Sequence, residues 1–177
     1  MKKLFLLLIF FGYLSAEINW SDPNECKLPD HSIFVNKIIS NMTLEQKVGQ
    51  IIMPEINSIT PEEAKIFFLG TILNGGGGYP NQIKNSSIQD WKNLSKSYYE
   101  ASPEVNGIKI PILWGTDAVH GHNNVIGATI FPHNIGLGAS MNPGLVKEIG
   151  EAVAKELLST GISWTFAPTI AVPLCAE

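Results

Sequence analysis

The chain has 177 residues and a formal net charge of -4 at pH 7. Its acidic and basic residues are spread along the sequence without a basic block, which argues against nucleic acid or an anionic membrane surface as a partner. The length suits one ordinary domain. The only cysteines are Cys26 and Cys175. A single pair defines no disulfide framework, so pairing and free thiols both stay open.

The N-terminus has the three parts of a secretory signal peptide. Met1-Lys2-Lys3 is followed by an apolar run over residues 4–14 and by Ser15-Ala16, which matches the basic, hydrophobic and small-residue regions of such a signal. The apolar run is shorter than the roughly 20 residues that span a bilayer. We therefore predict a signal peptide over residues 1–16 and one mature domain over residues 17–177, which is secreted or periplasmic and not held in a membrane.

Helices are predicted where a capping residue precedes apolar residues at helical spacing. Thr43 and Gln46 form a capping-box pattern, in which each side chain satisfies a backbone N–H group of the first turn. The longest helix is predicted to stop at Gly161, because glycine readily adopts the left-handed conformation that ends helices. The predicted helices cover residues 43–48, a segment that begins at Pro61, residues 87–99 and residues 142–159.

Short apolar runs between these helices predict buried strands, over residues 50–53, 69–73, 110–114 and 162–166. Alternating helices and strands are typical of parallel βα units. We therefore expect an α/β fold, either a small doubly wound sheet or the N-terminal half, about four βα units, of a (β/α)8 barrel of the TIM type. Polar residues that follow the strands favour the barrel. Gly75–Gly78 lacks the spacing of a dinucleotide-binding loop. It is predicted to be a turn with positive φ, and a close approach of its backbone to a ligand is the alternative.

Aromatic residues and a proline give further expectations for the strands. Trp114 and Trp164 lie on predicted strands, so we expect both in the core rather than at the surface as platforms for sugar stacking. The segment 166–168 ends in proline and predicts a rigid or cis turn at the carboxyl end of the last strand.

Asp117 is the strongest candidate for a functional residue. It follows the apolar run 110–114 and opens a loop rich in Gly, His, Asn and Thr, so a buried parallel strand would deliver its carboxylate into a pocket-forming loop. The two carboxylate oxygens can accept hydrogen bonds from adjacent hydroxyls of one sugar. An aspartate here can also cap a backbone turn, and the chemistry alone leaves both roles open.

His120, His122 and His133 lie close together in the sequence and raise the question of a metal site. A His-x-His pair with Asp117 as a third ligand has donor types that bind zinc. The loop also holds several Asn and Thr side chains and no Cys or Glu, which is typical of a hydrogen-bonded polar loop. We therefore expect no metal. We expect buried histidines whose rings pin the loop backbone, with His120 or His122 bordering the sugar pocket.

The motif Trp114-Gly-Thr-Asp-Ala-Val-His-Gly-His-Asn-Asn124, with the segments 42–50, 70–78, 130–139 and 165–172, resembles the family 3 glycoside hydrolases in their branch of β-glucosidases and exo-β-glucanases. The resemblance spans residues 36–173 in the family's order. It implies hydrolysis, with retention, of terminal non-reducing β-D-glucosyl residues of β-glucosides or β-glucan oligosaccharides, without a cofactor. The family's early loop aspartate, which holds the terminal glucose, maps to Asp117. The loop around it favours glucose over N-acetylglucosamine.

The resemblance also implies that no catalytic residue lies within this chain. The family's nucleophilic aspartate comes from a later barrel strand and its acid/base residue from beyond the barrel, and the matching segments reach neither. After Pro173 the resemblance ends abruptly, which we interpret as the mark of a truncated or frameshifted gene. We expect a β-glucosidase-like enzyme by family whose chain alone is inactive. The alternative is a non-catalytic truncated remnant, or a fragment that binds sugar weakly.

Overall fold

The computed structural model describes residues 30–169. The predicted signal peptide and both cysteines lie outside the described residues, so the boundary at residue 16 stays a prediction. None of the helices within residues 30–169 combines the length and the apolar character that a membrane span requires.

Helices begin at capping residues. Thr43, Thr60 and Ser87 each accept a hydrogen bond from the backbone N–H group three residues on, whose side chain returns a bond to the cap. Asn142 caps the longest helix, which ends shortly before Gly161 with its φ of +84°. The helices are α1 (Ser32–Ser40), α2 (Leu44–Gln50), α3 (Pro61–Ile66), α4 (Ile88–Glu100), α5 (Asn134–Ala139) and α6 (Pro143–Ser159), with a 3₁₀ turn at Pro80–Gln82. The predicted helices are confirmed, while α1 and α5 have no counterpart in the prediction.

Three parallel strands form the main sheet, in the order β1–β4–β5. The strands are β1 (Thr71–Asn74), β2 (Glu104–Val105), β3 (Ile108–Lys109), β4 (Leu113–Thr116) and β5 (Trp164–Thr165). On the far side of β1, Glu55 forms a parallel bridge to Leu73. The paired segments of the sheet therefore follow chain order, and the expected α/β class with a parallel sheet is confirmed.

Strands β1 and β4 end later than their apolar runs do. β1 continues through Asn74 and β4 through Thr116, and both polar side chains are buried. Nε1 of Trp114 donates to Oδ1 of Asn74 at 2.7 Å, so hydropathy alone ends these strands too early. β5 is shorter than predicted, and a cis Ala167–Pro168 bond follows it, in agreement with the predicted rigid or cis turn.

The prediction of a buried strand over residues 50–53 is wrong. Gln50 is the last residue of α2, and Ile51 and Ile52 are 84% and 45% exposed. The backbone N–H groups of both isoleucines are still bonded to carbonyls of the last turn of α2. Pairing with β1 begins only at Pro54, whose carbonyl oxygen accepts the N–H of Leu73 at 3.0 Å.

The antiparallel hairpin of β2 and β3 also has no counterpart in the prediction. Asn106 and Gly107 at its tip both have positive φ, +49° and +76°, which is the conformation that closes tight hairpins. The Asn-Gly pair is therefore a signal from which the turn can be read in the sequence.

The main hydrophobic core lies between one face of the sheet and the helices α4 and α6. Trp91 is fully buried, and its ring centroid lies 6.0 Å from that of Trp114. Tyr98 packs edge-on against Trp114 at 5.7 Å, and its hydroxyl donates to the carbonyl of Ile59 at 2.7 Å. Burying each large apolar side chain contributes roughly 1.5–3 kcal/mol. The expectation that Trp114 is a core residue is confirmed.

The opposite face of the sheet, which we call the open face, carries Met53, Leu113, Gly115, Trp164 and Phe166. A side chain at Gly115 would meet Met53, Trp164 and Phe166, and Leu113 points the same way because side chains alternate along a strand. Trp164 is 39% exposed and contacts Phe166 edge-on at 5.0 Å. The expectation that Trp164 is buried in the core is therefore wrong for residues 30–169.

Candidate functional site

Asp117 lies where β4 leaves the sheet, beside the end of β5. Its side chain is partly exposed, and within residues 30–169 neither an ion pair nor a hydrogen bond engages its carboxylate. Gly115, two residues earlier, is directed to the open face. The alternation of side chains along a strand predicts that the carboxylate of Asp117 reaches the rim of that face. An accessible carboxylate there can accept hydrogen bonds from the hydroxyls of a ligand.

Two asparagines fix the loop that follows Asp117. With its amide oriented to satisfy both partners, Asn123 donates from its side-chain nitrogen to the carbonyl of Asp117 at 2.9 Å and to that of Gly121 at 3.2 Å. Asn124 donates from Nδ2 to the carbonyl of Gly75 at 3.3 Å. The first contact folds the loop back onto its own start, and the second ties it to the glycine turn after β1.

His122 is anchored beneath the loop. Its side chain is 1% exposed, its ring centroid lies 6.0 Å from that of Trp91, and Nε2 lies 2.9 Å from Oγ1 of Thr160. Burial lowers the pKa of His122 to about 4, against a smaller opposing effect of Glu156. The ring is therefore neutral at pH 7. It is buried and bonded, as expected for a histidine that pins the loop, but its partner is a side chain at the end of α6 rather than loop backbone.

His120 and His133 form a pair apart from His122. Their ring centroids lie 4.1 Å apart with nearly perpendicular planes. His133 is exposed, whereas His120 is partly buried, and its Nδ1 is buried without a hydrogen-bond partner among the described residues. In the part of the chain that the structure describes, no three His, Cys, Asp or Glu side chains come together as metal ligands.

Glu55 is a second carboxylate at the same edge of the sheet, and it is not among the residues predicted from the sequence. It pairs with Leu73, which in turn pairs with Gly115, so its side chain lies on the open face in register with Gly115. Its carboxylate occupies the space that a side chain at Gly78 would need, and it accepts the N–H of Asn57 at 2.6 Å. A glutamate that follows an apolar run and a proline is the signal that could have identified it.

Gly75–Gly78 form a turn, as predicted, but without positive φ. The N–H of Gly78 donates to the carbonyl of Gly75 at 3.2 Å. The described glycines with positive φ are elsewhere, at Gly107, Gly121, Gly127 and Gly161. A side chain at Gly78 would instead meet the carboxylate of Glu55, which already occupies the space of a Cβ there.

An apolar cavity of about 290 Å³ lies between residues 117–133, which we call the Asp117 loop, and α6 and β5. Its walls include Val119 and Phe131 from the loop, and Ile149 and Val153 from α6. A sugar needs convergent polar groups for its hydroxyls, and this cavity offers few. The rim at Asp117 is therefore the better candidate for sugar binding.

Comparison with known proteins gives consistent matches. The family model described as "Glycosyl hydrolase family 3 N terminal domain" matches residues 43–174. The chain is 32% identical over 174 residues to the lysosomal beta glucosidase of Dictyostelium discoideum, and this alignment covers 90% of this chain and 21% of that protein. It is 26% identical over 141 residues to the periplasmic beta-glucosidase of Salmonella typhimurium, and this alignment covers 78% of this chain and 16% of that protein. The chain thus spans about a fifth of the length of these relatives.

A solved structure agrees with these sequence matches. The exo-1,3/1,4-beta-glucanase from a Pseudoalteromonas species superimposes with a TM-score of 0.73 at 48% identity, over 79% of this chain and 18% of that one. The family match runs from Thr43, the cap of α2, through the Asp117 loop and β5. It includes most of the described fold, and the chain therefore belongs to glycosyl hydrolase family 3.

Proposed function

We propose that this chain is the N-terminal part of the barrel domain of an enzyme that hydrolyses terminal non-reducing β-D-glucosyl residues with retention. The activities of its relatives support this: two are beta-glucosidases and one is an exo-1,3/1,4-beta-glucanase. The segment 54–56 and the three parallel strands follow chain order along the sheet, as the first strands of a (β/α)8 barrel do. The proposed substrate is a β-glucoside or a β-glucan oligosaccharide.

The observation that carries this proposal is the accessible carboxylate of Asp117 at the carboxyl edge of the sheet. Active sites of barrels of this type lie at that edge. We expect Asp117 to accept hydrogen bonds from two adjacent hydroxyls of the terminal glucose. His120, which is partly exposed, is the proposed second contact, whereas His122 acts from beneath the loop.

No catalytic residue is proposed within this chain. Retaining glycosidases act through two carboxyl groups about 5–5.5 Å apart, and Asp117 is assigned to binding instead. The chain alone is proposed to bind sugar without hydrolysing it, so we expect no release of the aryl group from an aryl β-glucoside. Export through a signal peptide over residues 1–16 is part of the proposal, and the lysosomal and periplasmic relatives support it.

The substitution Asp117→Asn tests the proposed role, because it removes the charge and keeps the shape of the side chain. We expect titration of the ¹⁵N-labelled full chain with D-glucose to shift the amide signals of the Asp117 loop in a saturable way. Asp117→Asn should raise the dissociation constant by about tenfold, because hydrogen bonds to a charged group are roughly twice as strong as neutral ones.

The matched control is Glu148→Gln, which removes one negative charge from an exposed position on α6. This variant should bind D-glucose as the wild type does. Equal affinity of Asp117→Asn and wild type, or no glucose-dependent shift in the wild type, would contradict the proposal.

A further inference from the structure

The Asp117 loop meets the end of α6 at one buried hydrogen bond. Oγ1 of Thr160 lies 2.9 Å from Nε2 of His122 and 2.7 Å from the carbonyl oxygen of Leu157. A hydroxyl has one proton to donate, and a carbonyl can only accept, so the bond to Leu157 forms when the proton of Thr160 points to that carbonyl. In that arrangement Thr160 accepts the other bond, and the neutral ring of His122 carries its proton on Nε2.

We propose that His122 is a positioning residue for Asp117, which it holds at the rim of the open face by donating Nε2–H to Thr160 from beneath the loop. This role rests on the proposed function, in which the carboxylate of Asp117 binds the sugar. Thr160 is the C-cap of α6 and is 1% exposed. The anchor of the loop therefore lies in the core and not at the surface.

Short contacts connect His122 to Asp117. The carbonyl of His122 accepts the N–H of Val125 at 3.0 Å, which fixes the turn that contains Asn123 and Asn124. Asn123, the next residue, donates from its side chain to the carbonyl of Asp117 at 2.9 Å. A displacement of His122 therefore moves Asn123, and with it the backbone from which the Asp117 carboxylate extends.

The bond has no ready replacement when one partner is removed. The ring of His122 is enclosed by the core beside Trp91, so the loss of the Thr160 hydroxyl leaves its N–H group buried and unpaired. Leaving a buried donor unsatisfied costs more than the bond itself contributes. The loop can recover a partner for the ring only by moving, which is the effect that a positioning role requires.

The test compares Thr160→Val, which keeps the shape of the side chain but loses its hydroxyl, with Thr160→Ser, which keeps the hydroxyl. In the wild-type full chain, ¹⁵N imidazole spectra at neutral pH should show His122 protonated on Nε2. Thr160→Val should speed hydrogen exchange at the N–H groups of Val125 and Phe131, which bond to the carbonyls of His122 and His120, by about tenfold or more. In Thr160→Ser these N–H groups should exchange at the wild-type rate. The N–H group of Leu73 in β1 should exchange at the wild-type rate in both variants.

A ring protonated on Nδ1 in the wild type would overturn the proposal. Equal hydrogen-exchange rates of the loop N–H groups in the valine and serine variants would overturn it too. Equal acceleration at Leu73 and in the loop would also do so, because the bond would then support the whole fold rather than the loop. If the valine variant does not fold, the ¹⁵N imidazole spectrum of the wild type still tests whether His122 donates from Nε2, as the proposal requires. None of these measurements involves a sugar, so their outcome is independent of the test of Asp117.

Titration with D-glucose separates the two proposals. Thr160→Val should raise the dissociation constant by about two- to tenfold, and it should add little in the Asp117→Asn background, since coupled residues are not additive. If Asp117→Asn leaves the affinity unchanged, the proposed function fails. If Asp117→Asn weakens binding and Thr160→Val does not, only the positioning role of His122 fails.

Discussion

His122 couples the stability of this fold to pH. Burial lowers its pKa to about 4, below the ordinary value of 6.5. Between these values the unfolded chain binds more protons than the folded chain, so the free energy of unfolding decreases as the pH falls through this window. The contribution of the neutral ring is fully present above the unfolded pKa and lost below the folded one. It amounts to at most about 3 kcal/mol at roughly 1.36 kcal/mol per pKa unit.

Urea unfolding of the wild type and of His122→Gln, at neutral pH and at about pH 4.5, measures this contribution. The variant retains hydrogen-bonding capacity but cannot titrate, so its free energy of unfolding should fall less on acidification than that of the wild type. An identical pH dependence in the two proteins would show that His122 is not the group responsible.

Gly78 is constrained by the close approach of Glu55 rather than by its backbone conformation. The carboxylate of Glu55 accepts the N–H of Asn57 at 2.6 Å, and moving away from a new Cβ would disturb this bond. We expect Gly78→Ala to destabilise the fold by about 1–3 kcal/mol through overpacking. Gly76→Ala, where a Cβ meets open space, should be neutral or stabilising by up to about 1 kcal/mol.

The comparison is made by urea unfolding, and Glu55→Ala provides a second control. In the Glu55→Ala background the penalty of Gly78→Ala should largely disappear, because the contact is gone. Equal stability of the Gly76 and Gly78 variants would contradict the assigned contact.

The sequence is informative about Asp117 but not about the contact between Glu55 and Gly78, for a physical reason. Asp117 stands directly after an apolar run and before a polar loop, and both signals are local. The contact between Glu55 and Gly78 arises only when the segment around Glu55 pairs with β1. The anchoring of His122 by Thr160 likewise joins a loop to the far end of a helix, and no local pattern identifies that partner.

At the scale of elements, the start of α4 depends on a capping box. Ser87 accepts the N–H of Asp90 at 3.2 Å, and the Asp90 carboxylate accepts the N–H of Ser87 at 2.7 Å. We expect Ser87→Ala to lower the free energy of unfolding by about 1 kcal/mol. Ser97→Ala in the same helix should change it by less than about 0.5 kcal/mol, since alanine is the best helix former.

Thermal or urea unfolding of the two serine variants checks this difference. If both variants lose equal stability, the cap does not contribute and the helix start is held by packing alone.

Helix starts and strand ends differ in how well the sequence predicts them. A capping box joins residues three apart, as Thr43 and Gln46 do in α2, so it can be read directly. The ends of β1 and β4 lie at Asn74 and Thr116, which are polar yet buried. Their burial depends on helices packed against the sheet, and a hydropathy pattern ends the strands before them. Ile51 is exposed for a related reason. An apolar side chain is buried only where another part of the fold packs against it, and its apolar character alone does not provide that surface.

At the scale of the whole molecule, the open face predicts self-association. Leu113, Trp164 and Phe166 are 48%, 39% and 36% exposed there, and within residues 30–169 the edge of β5 away from β4 has no paired strand. Exposed apolar patches and unpaired strand edges both promote association. We expect the full chain to bind the dye 1-anilinonaphthalene-8-sulfonate and to sediment as species larger than a monomer.

The substitution Leu113→Ser should reduce dye binding and association, because it lies on the open face. Ile33→Ser is the matched control, since Ile33 is 86% exposed on the helix α1 rather than on a strand of the sheet. A monomeric sedimentation profile with a cooperative thermal transition and no dye binding would contradict this prediction.

The central claim, that Asp117 binds the terminal glucose, is tested most directly by a crystal structure of the full chain with D-glucose. We predict that two adjacent hydroxyl oxygens of the sugar lie within about 3 Å of the Asp117 carboxylate oxygens, at the rim of the open face. Glucose bound elsewhere, for example in the apolar cavity beside α6, with the carboxylate of Asp117 free of sugar, would contradict the claim.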